Sequence, residues 1–94
     1  MVERIEQLLA VREELLGVAR VNRIRGFAVD IIEDLIGYSS ITPSTAARRH
    51  GVQYKTANDA IKRLETLGIL SEITGATYGR IYVCPRVTAI VVRP

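Results

Sequence analysis

At 94 residues the chain has the length of one domain with a real but modest core. Its 48% apolar content excludes a disordered polymer, and with 5% aromatics and no Trp the core must be aliphatic. The net charge of +3 is too mild to imply nucleic acid by itself.

The lone Cys84 rules out an internal disulfide framework and a multi-cysteine zinc site. It is read as a small buried apolar residue. No apolar run reaches the ~18 residues of a membrane span. Acidic residues among the first ten argue against a signal peptide, so the expectation is a cytoplasmic protein. Charge placement says more than the total. Residues 1–22 carry a net −1 and residues 23–94 a net +4. The segment from Arg48 to Arg63 holds Arg48, Arg49, Lys55, Lys62 and Arg63 against Asp59.

In chain order, residues 3–21 predict an amphipathic helix, with Ile5, Leu8, Leu9, Leu15, Leu16 and Ala19 on one broad apolar face. That face is wider than a small core needs, so this helix is expected either to pack on the domain or to pair with a second copy. Val21 to Gly26 forms a basic connector with Arg20, Arg23 and Arg25. Phe27 to Ile36 predicts a second helix. Its stripe is Phe27, Ile31, Ile32, Leu35 and Ile36; Asp30, Glu33 and Asp34 face out, and Gly37 is the stop. Tyr38 to Ile41 is read as a loop. Ser39, Ser40, Ser44 and Thr45 are loop and capping residues.

Thr42 N-caps a short helix with Pro43 at its first position, running to about His50. Gly51 ends it in a tight turn, Val52 is the turn's apolar pin, and Gln53 or Tyr54 starts a longer helix to Leu67. Ala57, Ala60, Ile61, Leu64 and Leu67 form its buried stripe, and Gly68 terminates it. The period then changes. Ile69–Thr74 and Arg80–Cys84 are strand-like around a glycine-flanked tip, which predicts a hairpin. Pro85 closes the second strand, and Arg86 to Arg93 reads equally as a final strand or a short helix packing back.

A short helix, a glycine turn and an amphipathic helix make the sequence form of a helix-turn-helix, to which a hairpin adds a wing. Ala46 and Ala47 allow the close approach that this geometry needs, and Ala57 sits at the crossing. The fold expectation is therefore mainly α with a small β-hairpin (α+β): a winged helix-turn-helix over residues 23–94, preceded by the N-terminal amphipathic helix of residues 1–22.

Gly51-Val52-Gln53-Tyr54-Lys55-Thr56-Ala57 resembles the turn and recognition-helix start of bacterial helix-turn-helix repressors. More widely, Thr42 through Val83 resembles the C-terminal winged-helix module of Fic-family proteins. The matching features are Tyr54-Lys55-Thr56-Ala57-Asn58, a helix ending Leu67-Gly68-Ile69-Leu70, and a wing ending Arg80-Ile81-Tyr82-Val83. The earlier helices are similar to that family's connector. The family's catalytic signature, a histidine-containing loop rich in glycine, has no counterpart here: His50 is the only histidine, and no Gly-rich loop leads into a helix. Adenylyl transfer is therefore not implied. The chain reads as a separate small protein or as the detached tail of a longer one.

With Ala57, Ile61 and Leu64 inward, ~100° per residue places Lys55, Asn58, Asp59, Lys62 and Thr66 on the opposite face. Lys55 and Asn58 occupy the first turns, the part that enters the major groove. Asn suits adenine, and Lys55 and Lys62 suit guanine edges or phosphates. Gln53 is placed for a phosphate or a base edge, Arg48 and Arg49 for the backbone, and Arg80 with Tyr78 for the wing's minor-groove contact. Tyr54 is expected half-packed near the turn, with a phosphate contact as its other reading. Asp59 opposes phosphate binding and either selects among bases or pairs with Lys55 or Lys62. His50 reads as a helix-end surface residue, since one histidine makes no metal site.

The expected partner is double-stranded DNA, bound sequence-specifically by a non-enzymatic regulator without metal or cofactor. A homodimer and a protein partner are the further partner expectations. The alternative function is a protein-docking winged helix that binds no DNA.

Overall fold

The computed structural model describes residues 2–38, 40–75 and 79–91. Among the described residues five helices and three short strands follow in the order α1 (Val2–Val21), α2 (Phe27–Gly37), β1 (Ser40–Ile41), α3 (Pro43–His50), α4 (Tyr54–Thr66), β2 (Ser71–Glu72), β3 (Tyr82–Val83) and α5 (Pro85–Val91). The chain is thus mainly helical with a small antiparallel sheet, an α+β arrangement.

In α1 the buried seam is Val11, Leu15 and Ala19, spaced four apart so that they stack on one side of the helix. Leu8 and Leu16 flank it half-buried. Ile5 and Leu9, expected on the same face, are exposed at 59% and 53%. The helix spreads apolar residues around much of its circumference, and its neighbours cover only the sector centred on Leu15. Contacts with α2 and α5 bury that sector. Arg12 locks the α1–α2 pair by a two-pronged bridge to Glu33, with Nε at 2.7 Å from Oε1 and a terminal nitrogen at 3.0 Å from Oε2.

Helix α2 sends Ala28, Ile31, Ile32 and Leu35 fully inward, with Phe27 and Ile36 at the margins. Gly37 closes the helix with an ordinary backbone. The chain leaves through Tyr38 in an extended conformation, so no left-handed stop is used there. Thr42 caps α3 as expected: its Oγ1 accepts the Thr45 N–H at 3.1 Å, and Pro43 occupies the first turn.

Gly51, at φ 65°, ends α3 and lets Val52 fold back, its N–H reaching the Ala47 carbonyl at 3.0 Å. Gly68, at φ 80°, does the same for α4, with the Ile69 N–H on the Leu64 carbonyl at 3.0 Å. Between them α4 buries Ala57, Ile61 and Leu64 completely. Ala46 of α3 and Ala57 of α4 are both fully buried; without bulk at these positions the two helices pack closely.

The sheet has one strand more than a hairpin. Ser40–Ile41, expected as loop, forms β1 and pairs antiparallel with β3, giving the order β1-β3-β2. The pairing places Ile41 beside Tyr82, and both are buried. Ile41 is buried while Ser40 stays exposed, and the strand pairing with β3 depends on residues about forty positions away. The strands are shorter than the expected runs: Ile69 and Leu70 are core residues of the turn before β2. The Ile73 N–H to Ile81 carbonyl bond, at 3.0 Å, extends the pairing toward the tip.

Pro85, expected only to close a strand, opens α5, since a proline without N–H costs nothing at a helix start. The ambiguity of residues 86–91 resolves as helix, with Val87 buried and Arg86 paired to Glu14 of α1. Residues 92 and 93 of that stretch lie outside the described residues.

Two substitutions test this packing. Ala57→Leu should lower stability by about 1–3 kcal/mol through overpacking at the crossing. Thr42→Ala should cost about 1 kcal/mol through loss of the cap. Urea unfolding followed by circular dichroism reads both; an unchanged midpoint for Ala57→Leu would show that the crossing tolerates bulk.

Candidate nucleic-acid interface

The surface of interest is the outer side of α4 with its flanks. Because Ala57, Ile61 and Leu64 are all driven inward, Lys55, Asp59, Lys62 and Thr66 emerge together on the opposite side, with Asn58 half-buried at its margin. Neither Lys55 nor Lys62 pairs with an acidic group among the described residues, so the helical-spacing pair with Asp59 does not form. Gln53 is the N-cap of α4 in extended conformation, but its side chain makes no cap bond. Tyr54, expected half-packed, is 54% exposed, because the first residue of the helix projects beyond the turn instead of folding under it. This end of α4 therefore presents Gln53, Tyr54 and Lys55 to solvent side by side.

The two arginines of α3 part company. Arg48 is exposed and unpaired among the described residues. Arg49 turns back to α2: one guanidinium nitrogen lies 3.4 Å from Asp34, and the group sits 4.1 Å over the Tyr38 ring. Such a stacked cation is held in place by charge and ring quadrupole together. Arg49 is thus engaged within the fold.

Asp34, expected to face out, is largely covered. His50 Nε2 lies 2.5 Å from Asp34 Oδ2, and the His50 ring meets Phe27 edge-on at 5.2 Å between centroids. His50 is the last residue of α3, as expected, but it acts as a clamp that seats the end of α3 on α2. Asp34 and His50 are sixteen residues apart, and nothing local signals their pairing.

The start of the turn after β2 is held by its own carboxylate. Glu72 accepts the Thr74 N–H at 2.9 Å, the Thr74 hydroxyl at 2.6 Å and the Gly75 N–H. The Thr74 bond first, then the Gly75 bond, holds the Glu72 carboxyl below its ordinary value. The spacing Glu72-x-Thr74-Gly75 is a legible turn signal that the sequence reading passed over. Arg80 is half-buried beside the sheet. A hydrogen bond with Tyr82 foremost, then the charges of Glu72 and Glu65, holds its guanidinium above the ordinary value. Glu65 lies near the far end of α4, and ten residues of helix put that end about 15 Å from Lys55. Tyr78, assigned to the wing contact, lies outside the described residues.

Among the described residues, no group of three His, Cys, Asp or Glu side chains could hold a metal ion. No helix among the described residues is long and apolar enough to cross a membrane. Cys84 is buried and free.

The Glu72 bonds carry a pH dependence with a defined sign. A carboxyl whose folded value is depressed stabilises the turn fully above the ordinary glutamate value of about 4.3, and that stabilisation is lost as pH falls through the lower folded value. The Thr74 and Gly75 amide resonances should therefore shift together below pH ~4.3 in an NMR titration and lose that transition in Glu72→Gln. A Glu72 carboxyl titrating above ~4.3 would contradict the geometry.

No family model matches the chain, and neither a curated protein nor a solved structure is significantly similar to it.

Proposed function

We propose that this chain is a sequence-specific double-stranded DNA-binding domain of the winged helix-turn-helix type, with α4 in the major groove and the β2–β3 hairpin as the wing. It acts as a bacterial transcription regulator or as the regulatory DNA-binding part of a Fic-type protein, and it has no catalytic role. The carrying observation is the division of α4. One side is wholly in the core, and the other offers Lys55 and Lys62, neither paired within the described fold, with Asn58 at its edge. Free cations on a helix projecting from a close-packed helical pair can meet phosphates and base edges at no internal cost. Arg48 adds a backbone contact and Arg80 a minor-groove contact from the wing, while Arg49 orients α3 on α2.

A second reading has its own support. Tyr54 and Ile73 are 54% and 61% exposed, and Asp59 lies among the cations. An aromatic and an aliphatic side chain beside mixed charge also suit a protein-docking face.

Fluorescence anisotropy with a mixed-sequence duplex at ~50 and ~200 mM salt separates the two. DNA binding must weaken steeply over that range, because bound cations release counterions. On a selected duplex, Lys55→Ala and Asn58→Ala should each cost about 1–3 kcal/mol if they read bases. Folded wild-type protein that binds no duplex at either salt would falsify the DNA reading and leave the docking reading standing.

A further inference from the structure

The connector between α1 and α2 holds the one residue, among those described, that is not glycine yet has a left-handed backbone: Arg23, at φ 58°. Its surroundings explain how it is held. The Arg23 N–H donates to the Arg20 carbonyl at 3.2 Å, and the Ile24 N–H donates to the Ala19 carbonyl at 2.8 Å. Ile24 and Ala19 are both buried, and the Asn22 side chain caps the Val18 carbonyl at 2.8 Å. This is a helix-ending turn with a left-handed residue followed by an apolar anchor.

The same molecule builds that turn twice more. At the ends of α3 and α4 the left-handed residue is Gly51 or Gly68, and Val52 or Ile69 is the anchor. A Cβ added at either glycine would meet nothing within 4 Å, so glycine stands there for its backbone and not for want of space. At the end of α1 the same backbone is imposed on an arginine. A strained residue of this kind is an observation from which function can be argued.

The turn also leaves charge exposed on both sides of its apolar anchor. Buried Ile24 is flanked by exposed Arg23 and Arg25, with exposed Arg20 one turn back. None of the three has a carboxylate partner among the described residues. Two residues beyond Arg25, Phe27 meets the ring of His50, which directly precedes the Gly51–Gln53 turn into α4. The basic connector is thereby brought to the end of the molecule from which α4 starts.

We infer that Arg23 and Arg25 form a phosphate-binding clamp that grips the DNA backbone beside the major-groove site, extending the interface beyond the α3–α4 pair and the hairpin. This rests on the DNA-binding reading above. The clamp carries no base specificity; it positions the domain and adds affinity. A rival role for Arg23, charge complementarity with the C-terminal end of α1, makes the opposite prediction for stability.

The test uses the full chain, a mixed-sequence duplex and thermal melting. Arg23→Gly should raise the melting temperature by a few degrees, since glycine relieves the left-handed strain. The same variant should bind the duplex up to about tenfold more weakly at ~0.1 M salt, with the log–log salt slope smaller by about 0.9. Arg25→Ala should weaken binding similarly without altering the melt, and Arg23→Lys should retain most of the affinity. Wild-type affinity and slope in both Arg23→Gly and Arg25→Ala, with Lys55→Ala still impaired, would overturn the clamp and leave the DNA reading intact. A lower melting temperature for Arg23→Gly with unchanged binding would assign Arg23 to the helix end. Absence of any duplex binding by the wild type would overturn both proposals together.

Discussion

Everything on the candidate surface depends on the close packing of α3 and α4, made possible by Ala46 and Ala57. Both residues are completely buried, and each contributes a single methyl group to the interface. Packing at native density leaves no room there for a larger side chain without moving a helix. Because the crossing is tight, Ile61 and Leu64 reach the common core, and the rotation of α4 about its own axis is determined. That rotation alone decides that Lys55 and Lys62 emerge on the side facing away from the protein. The chemistry of the surface is thus a consequence of alanine in the interior.

Two further devices hold the crossing in place on the rest of the domain. The Asp34–His50 contact and the Arg49–Tyr38 stack tie the end of α3 to α2 and the segment following it. On the other side, β1 joins β3, so that the segment entering α3 and the segment leaving the hairpin belong to one sheet. Tyr82, fully buried in the central strand and hydrogen-bonded to Arg80, connects that sheet to the hairpin's one assigned cation. The strands of the hairpin are therefore tied through β1 to the segment that leads into α3.

The charges sort by whether the fold uses them. Arg12, Arg49 and Arg86 each meet a carboxylate of another helix and act as internal braces. Arg23, Arg25, Arg48, Lys55 and Lys62 have no such partner among the described residues. The second group is exposed and makes no ion pair within the described fold. A net charge of +3 conceals this division, because it counts braces and free cations alike.

Local chemistry was mostly legible in the sequence where a residue acts on its own neighbours. The Thr42 cap, Pro43 in the first turn, the turns at Gly51 and Gly68, and the inward stripe of α4 all follow from interactions within about four residues. The same reach explains the expected grouping of Lys55, Asp59 and Lys62 on one face. The Glu72 turn and the helix opened by Pro85 are local too and went unread; the rest of what escaped required a distant partner. Asp34 looked solvent-facing until His50 and Arg49 arrived from another helix. Ser40–Ile41 looked like a loop until β3 came alongside, and α1 showed apolar residues on more sides than its neighbours cover. Backbone propensity and side-chain period thus determined the elements and the face that each presents. Only the tertiary structure decided which of those faces found a partner, because burial, sheet pairing and ion pairing are set by contacts between residues far apart in the chain.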